Sequence, residues 1–550
     1  MVTLPTVAAP THGISRRTRV VILGGGFAGI YTARRLERAL RRRDDFEILL
    51  INKENYFVFQ PMLPEVISGT IGIVDTVIPI RRLLPRTELH VREVESIDLA
   101  RRVVITSTGF EPRSDEIAFD HLVLALGNVT DFRGLPGLPE HALAFKNLAD
   151  ALAVRTHIIR ALEEAAIERR DPRLRQRLLT FVIAGGGFSG VEVAAEINDF
   201  VRAVARYYRG IDPSEIRVIL LHARDRILPE VSEKLALFAQ RILRRRGVEL
   251  RLKTRLAAAT ADGAILSSGE QLPTKTLVST IPASPHPILD ALDLPKEKNG
   301  RLHVDSNLRV EGSDNLWALG DCAWVTIPDG TVSPPTAQHA TRQAETAATN
   351  LVAAIRGTRE TRFNFGGLGN MGSLGHRCAV AEFMDLQLSG FLAWFVWRTV
   401  YLAKLPGWGR RLKVAVSWTL DLFLPPDLVQ LRLSGSAGML HEHFEPGQIV
   451  FQQGDVGDRL YIILDGEAEV VREHDGSELA VAHLGPGEYF GELALMEHQP
   501  RNATVRCVSS MNTVSVPKRD FGTLSAYLPA LRESFETVAR RRHELPQNRS

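Results

Sequence analysis

Cysteine is scarce in this chain of 550 residues: there are three, Cys322, Cys378 and Cys507, and no two of them form a C-x-x-C pair. That excludes a disulfide framework and suits a reducing compartment. It also excludes an adjacent dithiol relaying electrons onward from a flavin. Long apolar runs are missing as well, since no uninterrupted stretch approaches the ~18 residues of a transmembrane helix. Charge of one sign is nearly absent in sum: the net charge is +3, which gives no basis for nucleic-acid binding. The runs Arg41 to Arg43, Arg244 to Arg246 and Arg540 to Arg542 read as solvated helix ends. Met1 to Thr18 holds prolines and small residues without the apolar core of a signal peptide, and reads as a flexible tail. What remains is an ordinary globular composition, 45 % hydrophobic and 24 % charged. Its length suits roughly three or four domains.

Two nearly identical glycine runs, each after an apolar strand, dominate what is present. In the first, Arg19 to Leu23 reads as a buried parallel strand that enters Gly24-Gly25-Gly26-Phe27-Ala28-Gly29. In such a G-x-G-x-x-G turn Gly24 allows the tight bend and Gly26 lets a pyrophosphate approach the backbone. Gly29 lets the following helix pack closely. The helix N-terminus then offers unpaired N–H groups to the phosphates. A second strand, Phe46 to Ile51, ends at Asn52, Lys53 and Glu54 where an acid usually holds a ribose hydroxyl. Asn52 can hydrogen-bond a hydroxyl, and Glu54 is an alternative. The following segment, Asn55 to Glu65 with Pro61 in it, has the look of an active-site loop against a flat aromatic ring, and packing alone is the equal alternative.

The second run is Gly185-Gly186-Gly187-Phe188-Ser189-Gly190, after the strand Phe181 to Ala184 and before Val191-Glu192. Its second strand, Ile216 to Leu221, ends in His222-Ala223-Arg224-Asp225 rather than in an acid. A missing acid with an arginine nearby tolerates the 2′-phosphate of NADP, so NADPH stays open beside NADH. Between the two units, His121 to Gly127 resembles the strand-plus-glycine link of two-dinucleotide flavoproteins. Later comes Leu319-Gly320-Asp321, then Pro335 to Gln343, which reads as opening a helix beneath a flavin.

Taken together, residues 19 to about 430 resemble the type II NADH dehydrogenases, the single-subunit NADH:quinone oxidoreductases. The resemblance implies non-covalent FAD in the first unit, with Gly24, Gly26, Phe27, Ala28, Gly29, Asn52, Lys53, Pro61, Gly127 and Gly320 around it. Asp321 would hydrogen-bond its ribityl chain. It implies NADH in the second unit, along Gly185, Gly187, Phe188, Gly190 and His222. Hydride would pass from nicotinamide C4 to flavin N5, with Glu192 at the junction. Two electrons would then pass to a quinone near Gln338 and Arg342, with no proton pumping and no metal. The family's A-Q-x-A-x-Q pattern keeps Gln338 but has Arg342 at its second glutamine, which leaves a reductase of a soluble acceptor, or a redox sensor, as alternatives. Sulfide:quinone oxidoreductases need redox cysteines before residue 321, and this chain has none there. A homodimer is plausible by family analogy alone.

From Leu386 to Leu424 four of the six tryptophans occur, interleaved with Arg398, Lys404, Arg410, Arg411 and Lys413. Aromatic and basic residues on short helices broken at Pro406-Gly407 suit an in-plane membrane anchor. Together with the family resemblance this implies a peripheral protein on the cytoplasmic face of the inner or plasma membrane. Helices packed on the protein's own core are the alternative.

After Pro425-Pro426 the chain changes to short β-like runs punctuated by glycine, which implies a small β-barrel or jelly roll. Phe490-Gly491-Glu492-Leu493-Ala494-Leu495-Met496 leading to Arg501-Asn502 resembles the phosphate-binding cassette of cyclic-nucleotide-binding domains. That resemblance implies cAMP or cGMP, with Gly491, Leu493 and Ala494 at the cyclic phosphate. Arg501 would neutralise its charge, Glu492 would accept from the ribose 2′-hydroxyl, and Asn502 would sit at the position that varies with nucleotide choice. The expected fold is therefore α/β, with two Rossmann-type units, membrane-associating helices and a β-barrel. The expected divisions are a tail at 1–18, FAD-binding parts at 19–145 and 296–360, and an NAD(P)H unit at 146–295. A quinone and membrane-facing region at 361–430, a linker at 431–440 and a cyclic-nucleotide domain at 441–545 complete them. The last reading includes one basic helix near Arg532 to His543 and no helix-turn-helix.

Overall fold

A computed structural model describes residues 17–41, 45–107, 115–132, 134–281, 284–383, 386–430, 440–455, 459–474, 477–497 and 501–517. The expected tail up to residue 16, most of the linker at 431–440 and the expected basic helix near 532–543 lie outside these residues, whereas Thr18, assigned to the tail from sequence, already begins the first strand. The first unit is a five-stranded parallel sheet in the order Leu316–Ala318, His121–Leu124, Thr18–Leu23, Phe46–Asn52, Glu88–Val91. Its central strand is apolar on both faces because both are covered: Val20, Val21, Ile22 and Leu23 are fully buried. The helix Phe27–Ala39 leaves the glycine turn and packs on the later helix Ala337–Arg356, so two distant parts of the chain close over one sheet.

The second unit repeats the plan. Its parallel order is Ala142–Ala144, Thr276–Ser279, Thr180–Ala184, Arg217–Leu221, Val248–Arg251. The helix Phe188–Ala205 buries a continuous face from Gly190 to Ala205. Strands at Asn370–Ser373, Ala379–Phe383 and Leu386–Gly390 then form an antiparallel sheet that lies against it.

The aromatic segment departs from the sequence expectation in two ways. It begins as a strand to Gly390, and only Phe391–Lys404 and Trp408–Leu420 are helical. Its aromatics also divide by face: Trp394, Trp397 and Trp418 are buried in the protein's core, whereas Phe391, Phe395, Trp408 and Phe423 are exposed. Arg398 and Arg410 are not surface charges either, since they pair with Glu65 and Asp75. An arginine half-withdrawn from water is held by such a partner, which draws two of the five basic residues inward. No helix among the described residues is long and apolar enough to cross a membrane.

The C-terminal part is two four-stranded antiparallel sheets, Leu440–Phe444, Met511–Pro517, Arg459–Asp465, Tyr489–Phe490 against Ile449–Phe451, Thr504–Cys507, Ala468–His474, Ser477–Leu484. Phe444, Tyr461, Phe490 and Met511 fill the space between them. His443 meets the first part of the molecule, its carbonyl 2.8 Å from Nε2 of His141 in the short helix Leu138–His141.

Candidate functional site

Both glycine turns have the geometry of a phosphate cradle. Gly24 and Gly185 hold φ of +104° and +123°, which only glycine adopts without strain. A Cβ on Gly24 would strike the Ala125 carbonyl, and one on Gly29 or Gly190 would strike the carbonyl of the turn itself. Gly26 is different. A Cβ there meets nothing within 4 Å, so the space over that backbone is open. Gly127 faces similar open space. The first cradle thus fits a dinucleotide on structural grounds, independent of the motif; the second repeats its turn, with Glu230 Oε1 3.0 Å from where a Cβ on Gly187 would stand.

At the end of each second strand the side chain is turned back onto the glycine loop. Oδ1 of Asn52 accepts from the Gly25 N–H at 2.8 Å, and its Nδ2 donates to the Glu54 carbonyl at 2.8 Å. Nδ1 of His222 accepts from the Gly186 N–H at 3.1 Å. Phe27 closes the first glycine turn edge-on to Phe57 at 5.0 Å, and Lys53, next to Asn52, is exposed. Gly320 opens a single turn over Asp321, and Asp321 Oδ2 lies 3.7 Å from Lys146 Nζ.

Between the units lies a cavity of about 750 Å³. The first unit contributes Phe27 and Pro61, the second Phe188 and Glu192, the long helix Gln338 and Arg342, and the aromatic helix Tyr401 and Lys404. Glu192 is buried, and its Oε1 accepts from the Ser373 N–H at 3.0 Å. Burial pushes its carboxyl up to about 8, against the lowering effect of that hydrogen bond. Gln338 is held at both ends of its amide, donating to the Gly369 carbonyl and accepting from the Leu368 N–H, each at 3.0 Å. Arg342 pairs with Glu345 at 3.0 Å and lies over Phe365.

Several residues here were not singled out from sequence. Gln343, one step beyond Arg342, is buried; it accepts from the Gly320 N–H at 2.7 Å and donates to Ser333 Oγ. The helical turn carries it about 100° round from Arg342, so it clamps the flavin-side glycine rather than lining the cavity. Glu196 and Glu65 are buried near Glu192, and burial raises them to about 8 and about 7. Glu196 follows Glu192 by one helical turn, a spacing readable in advance. The partners of Glu65 are not: Arg398 at 3.5 Å and Trp418 Nε1 at 3.2 Å come from more than 300 residues away. Cys322 is buried with its thiol donating to the Leu124 and Leu319 carbonyls, and burial pushes it up to about 11. Such a thiol is inert.

A second cavity, of about 290 Å³, lies in the C-terminal barrel. Gly491, Glu492, Leu493, Arg501 and Asn502 line it beside Val470, Arg472 and Ala482. Glu492 opens the helix Glu492–Glu497 and is buried; the side chain of Ala494 lies outside the described residues. Arg501 is also buried. It donates to the Gly491 carbonyl at 2.7 Å and the Arg459 carbonyl at 2.8 Å, and stacks on Phe451.

Two glycine cradles facing one cavity define a two-dinucleotide oxidoreductase, and residues 18–344 match the model for "Pyridine nucleotide-disulphide oxidoreductase", so the chain belongs to that family. Residues 368–424 match "NDH2 C-terminal domain" and residues 441–526 match "Cyclic nucleotide-binding domain". Within the family the chain is one of the type II NADH:quinone oxidoreductases. It is 32% identical over 423 residues to "Type II NADH:quinone oxidoreductase NdhA" of Mycobacterium tuberculosis, covering 74% of this chain and 87% of that protein. It is also 32% identical to "Demethylphylloquinone reductase NdbB" of Synechocystis, over 73% of this chain and 96% of that one. The fold resembles that of NDH2 from Plasmodium falciparum solved in complex with NADH, with a TM-score of 0.69 at 19% identity, over 75% of this chain and 100% of the other.

Proposed function

We propose that the chain oxidises NADH and reduces a membrane quinone without pumping protons, and that a cyclic nucleotide bound to its C-terminal barrel modulates the reaction. The observation that carries the reading is the shared cavity, where walls from both cradles, the long helix and the aromatic helix converge. When bound, FAD supplies acceptance of hydride at N5 and delivery of two electrons to the acceptor. The chain's part is mainly positioning and exclusion of water. Phe27, Pro61 and Lys146 border the flavin side, and Phe188 and Glu192 border the nicotinamide side. Glu192, neutral at pH 7 because it is buried, donates a hydrogen bond there. Gln338 shapes the quinone end by fixing the loop at 368–369, and Arg342 with Lys404 gives that end its positive charge.

The exposed aromatics Phe391, Phe395, Trp408 and Phe423, with Lys413 among them, suit peripheral attachment to the cytoplasmic face of a membrane. In the barrel, Glu492 takes the ribose hydroxyl and Arg501 the cyclic phosphate. The contact between His443 and His141 supports a route for modulation, because the strand after His141 leads directly to Phe145 and Lys146 at the cavity.

The test is NADH oxidation by the FAD-loaded protein with a short-chain quinone, with and without cAMP or cGMP, repeated after removal of residues 434–550. Turnover that shifts with nucleotide only in the full chain is expected. A flavin reduced by NADH but not reoxidised by quinone refutes the acceptor, and a response that survives the deletion refutes the regulatory role of the barrel. Arg342 favours one second reading, reduction of a soluble acceptor, which good ferricyanide and poor quinone turnover would support.

A further inference from the structure

Glu196 is buried one helical turn beyond Glu192, but unlike Glu192 it does not line the cavity. That spacing leaves about 5–6 Å between their Cβ atoms. Burial, and then Glu65 beside it, hold the Glu196 carboxyl up at about 8, so both acids exchange protons near neutral pH. Behind Glu196 two hydroxyls lead outward. The Ser68 hydroxyl hydrogen-bonds the Glu196 carboxyl, and its Oγ lies 3.0 Å from Thr70 Oγ1 and 3.1 Å from the Glu65 carbonyl. The Thr70 hydroxyl in turn meets Asp421, an exposed acid at the end of the helix Trp408–Leu420. A hydroxyl rotates and both donates and accepts, so this row can hand a proton along.

The other ionisable groups nearby are committed elsewhere. Glu65 is held by Arg398 at 3.5 Å and by Trp418 Nε1 at 3.2 Å. Asp199, on the same helix as Glu196, lies 3.4 Å from Arg246 Nη1. Arg398, His376 and Arg377 face Asp421. Tyr401 lies near Glu192, and desolvation raises its phenol, so it keeps its proton. Reduction of a quinone by NADH consumes one proton beyond the hydride, because NADH, H⁺ and quinone give NAD⁺ and quinol. The cavity wall carries two acids. Glu345 is exposed and paired with Arg342, whereas Glu192 is buried.

We propose that Glu196, Ser68 and Thr70 form a proton relay joining solvent at Asp421 to Glu192, and that the proton consumed in quinone reduction enters by it. This rests on reading the shared cavity as the site of quinone reduction. NADH supplies both electrons and, as hydride, one hydrogen of the quinol. The other O–H bond forms as the Glu192 O–H gives its proton to the quinone oxygen. Glu192, left as a carboxylate, takes a proton from Glu196. Glu196 regains one from water at Asp421 through the Thr70 and Ser68 hydroxyls. A filled cavity excludes water from the acceptor, and the relay lets the proton arrive from behind Glu192 instead.

The test compares a short-chain quinone with ferricyanide, which takes electrons without protons, on the FAD-loaded full-length protein. Bleaching of the flavin by NADH is a hydride transfer and draws nothing from the relay. Glu196→Gln and Thr70→Val should each keep bleaching and ferricyanide turnover within about twofold of wild type, and slow quinone turnover about tenfold or more, with the loss deepening as pH rises. Thr70→Ser, which keeps the hydroxyl, should restore quinone turnover. Independently of turnover, the infrared band of protonated carboxyls that is lost as pH rises through about 8 should be missing one component in Glu196→Gln. Quinone turnover within about twofold of wild type in both variants overturns the proposal, since the proton then enters by the cavity mouth. An equal loss with quinone and ferricyanide also overturns it, as damage to the fold. A wild-type flavin that NADH bleaches and ferricyanide reoxidises, but quinone does not, overturns the acceptor reading and the relay with it.

Discussion

Replacing Glu192 by glutamine is the most informative single change, because the structure predicts both its sign and its size. The carboxyl stands at about 8 in the folded protein against an ordinary 4.5. At about 1.4 kcal/mol per pH unit, the difference corresponds to about 5 kcal/mol. The sign follows from which form is favoured. The folded protein keeps Glu192 protonated, while the unfolded chain ionises it above 4.5. Stability drawn from the neutral form is therefore complete below 4.5 and is lost as pH rises toward 8. Glutamine does not titrate, and its Oε1 can still accept from the Ser373 N–H. The variant should match the wild type near pH 5 to within about 1 kcal/mol, then gain on it by about 1.4 kcal/mol per pH unit, reaching about 4 kcal/mol by pH 8. The assay is the difference in urea unfolding free energy between the two proteins at saturating FAD, at each pH from 5 to 8. Both share every other domain, so the difference isolates the site. Wild-type turnover should also bend near pH 8 where the variant's does not. A stability difference that stays flat across this range would refute the reasoning, since Glu192 would then already be ionised in the fold.

The other predictions concern the cradle, the buried ion pair and the barrel. Gly26→Ala should fold normally, because its Cβ meets open space, yet bind FAD much more weakly by flavin-release fluorescence; Gly29→Ala should disrupt the turn itself and lower the melting temperature. Arg398→Leu leaves Glu65 buried without its cation and should cost about 3 kcal/mol or more in urea unfolding, with the loss deepening as pH rises through about 7. Arg501→Ala should abolish cyclic-nucleotide binding by calorimetry, and Arg501→Lys should restore little of it, since a lysine keeps the charge without the two-pronged geometry.

The sequence by itself determined the parts that depend on local chemistry. Two strand–glycine–helix units, the helix break at Pro406-Gly407, and a glycine-punctuated barrel carrying Glu492 and Arg501 were legible, because backbone conformation and hydrophobic period are written within a few residues. Gln338 and Arg342 were legible as neighbours on one helix. Tertiary structure alone decided what those side chains do. Gln338 spends its amide on a loop 30 residues away, and Gln343 rather than Arg342 reaches the flavin-side glycine. Trp394, Trp397 and Trp418 became core instead of membrane surface: Trp394 and Trp418 stack on Arg398, Trp418 donates to the buried Glu65, and Trp397 packs between Tyr401 and Trp418. The raised carboxyls of Glu65, Glu192 and Glu196 have the same origin. No window of sequence carries a desolvation energy; it arises when distant segments exclude water from one place.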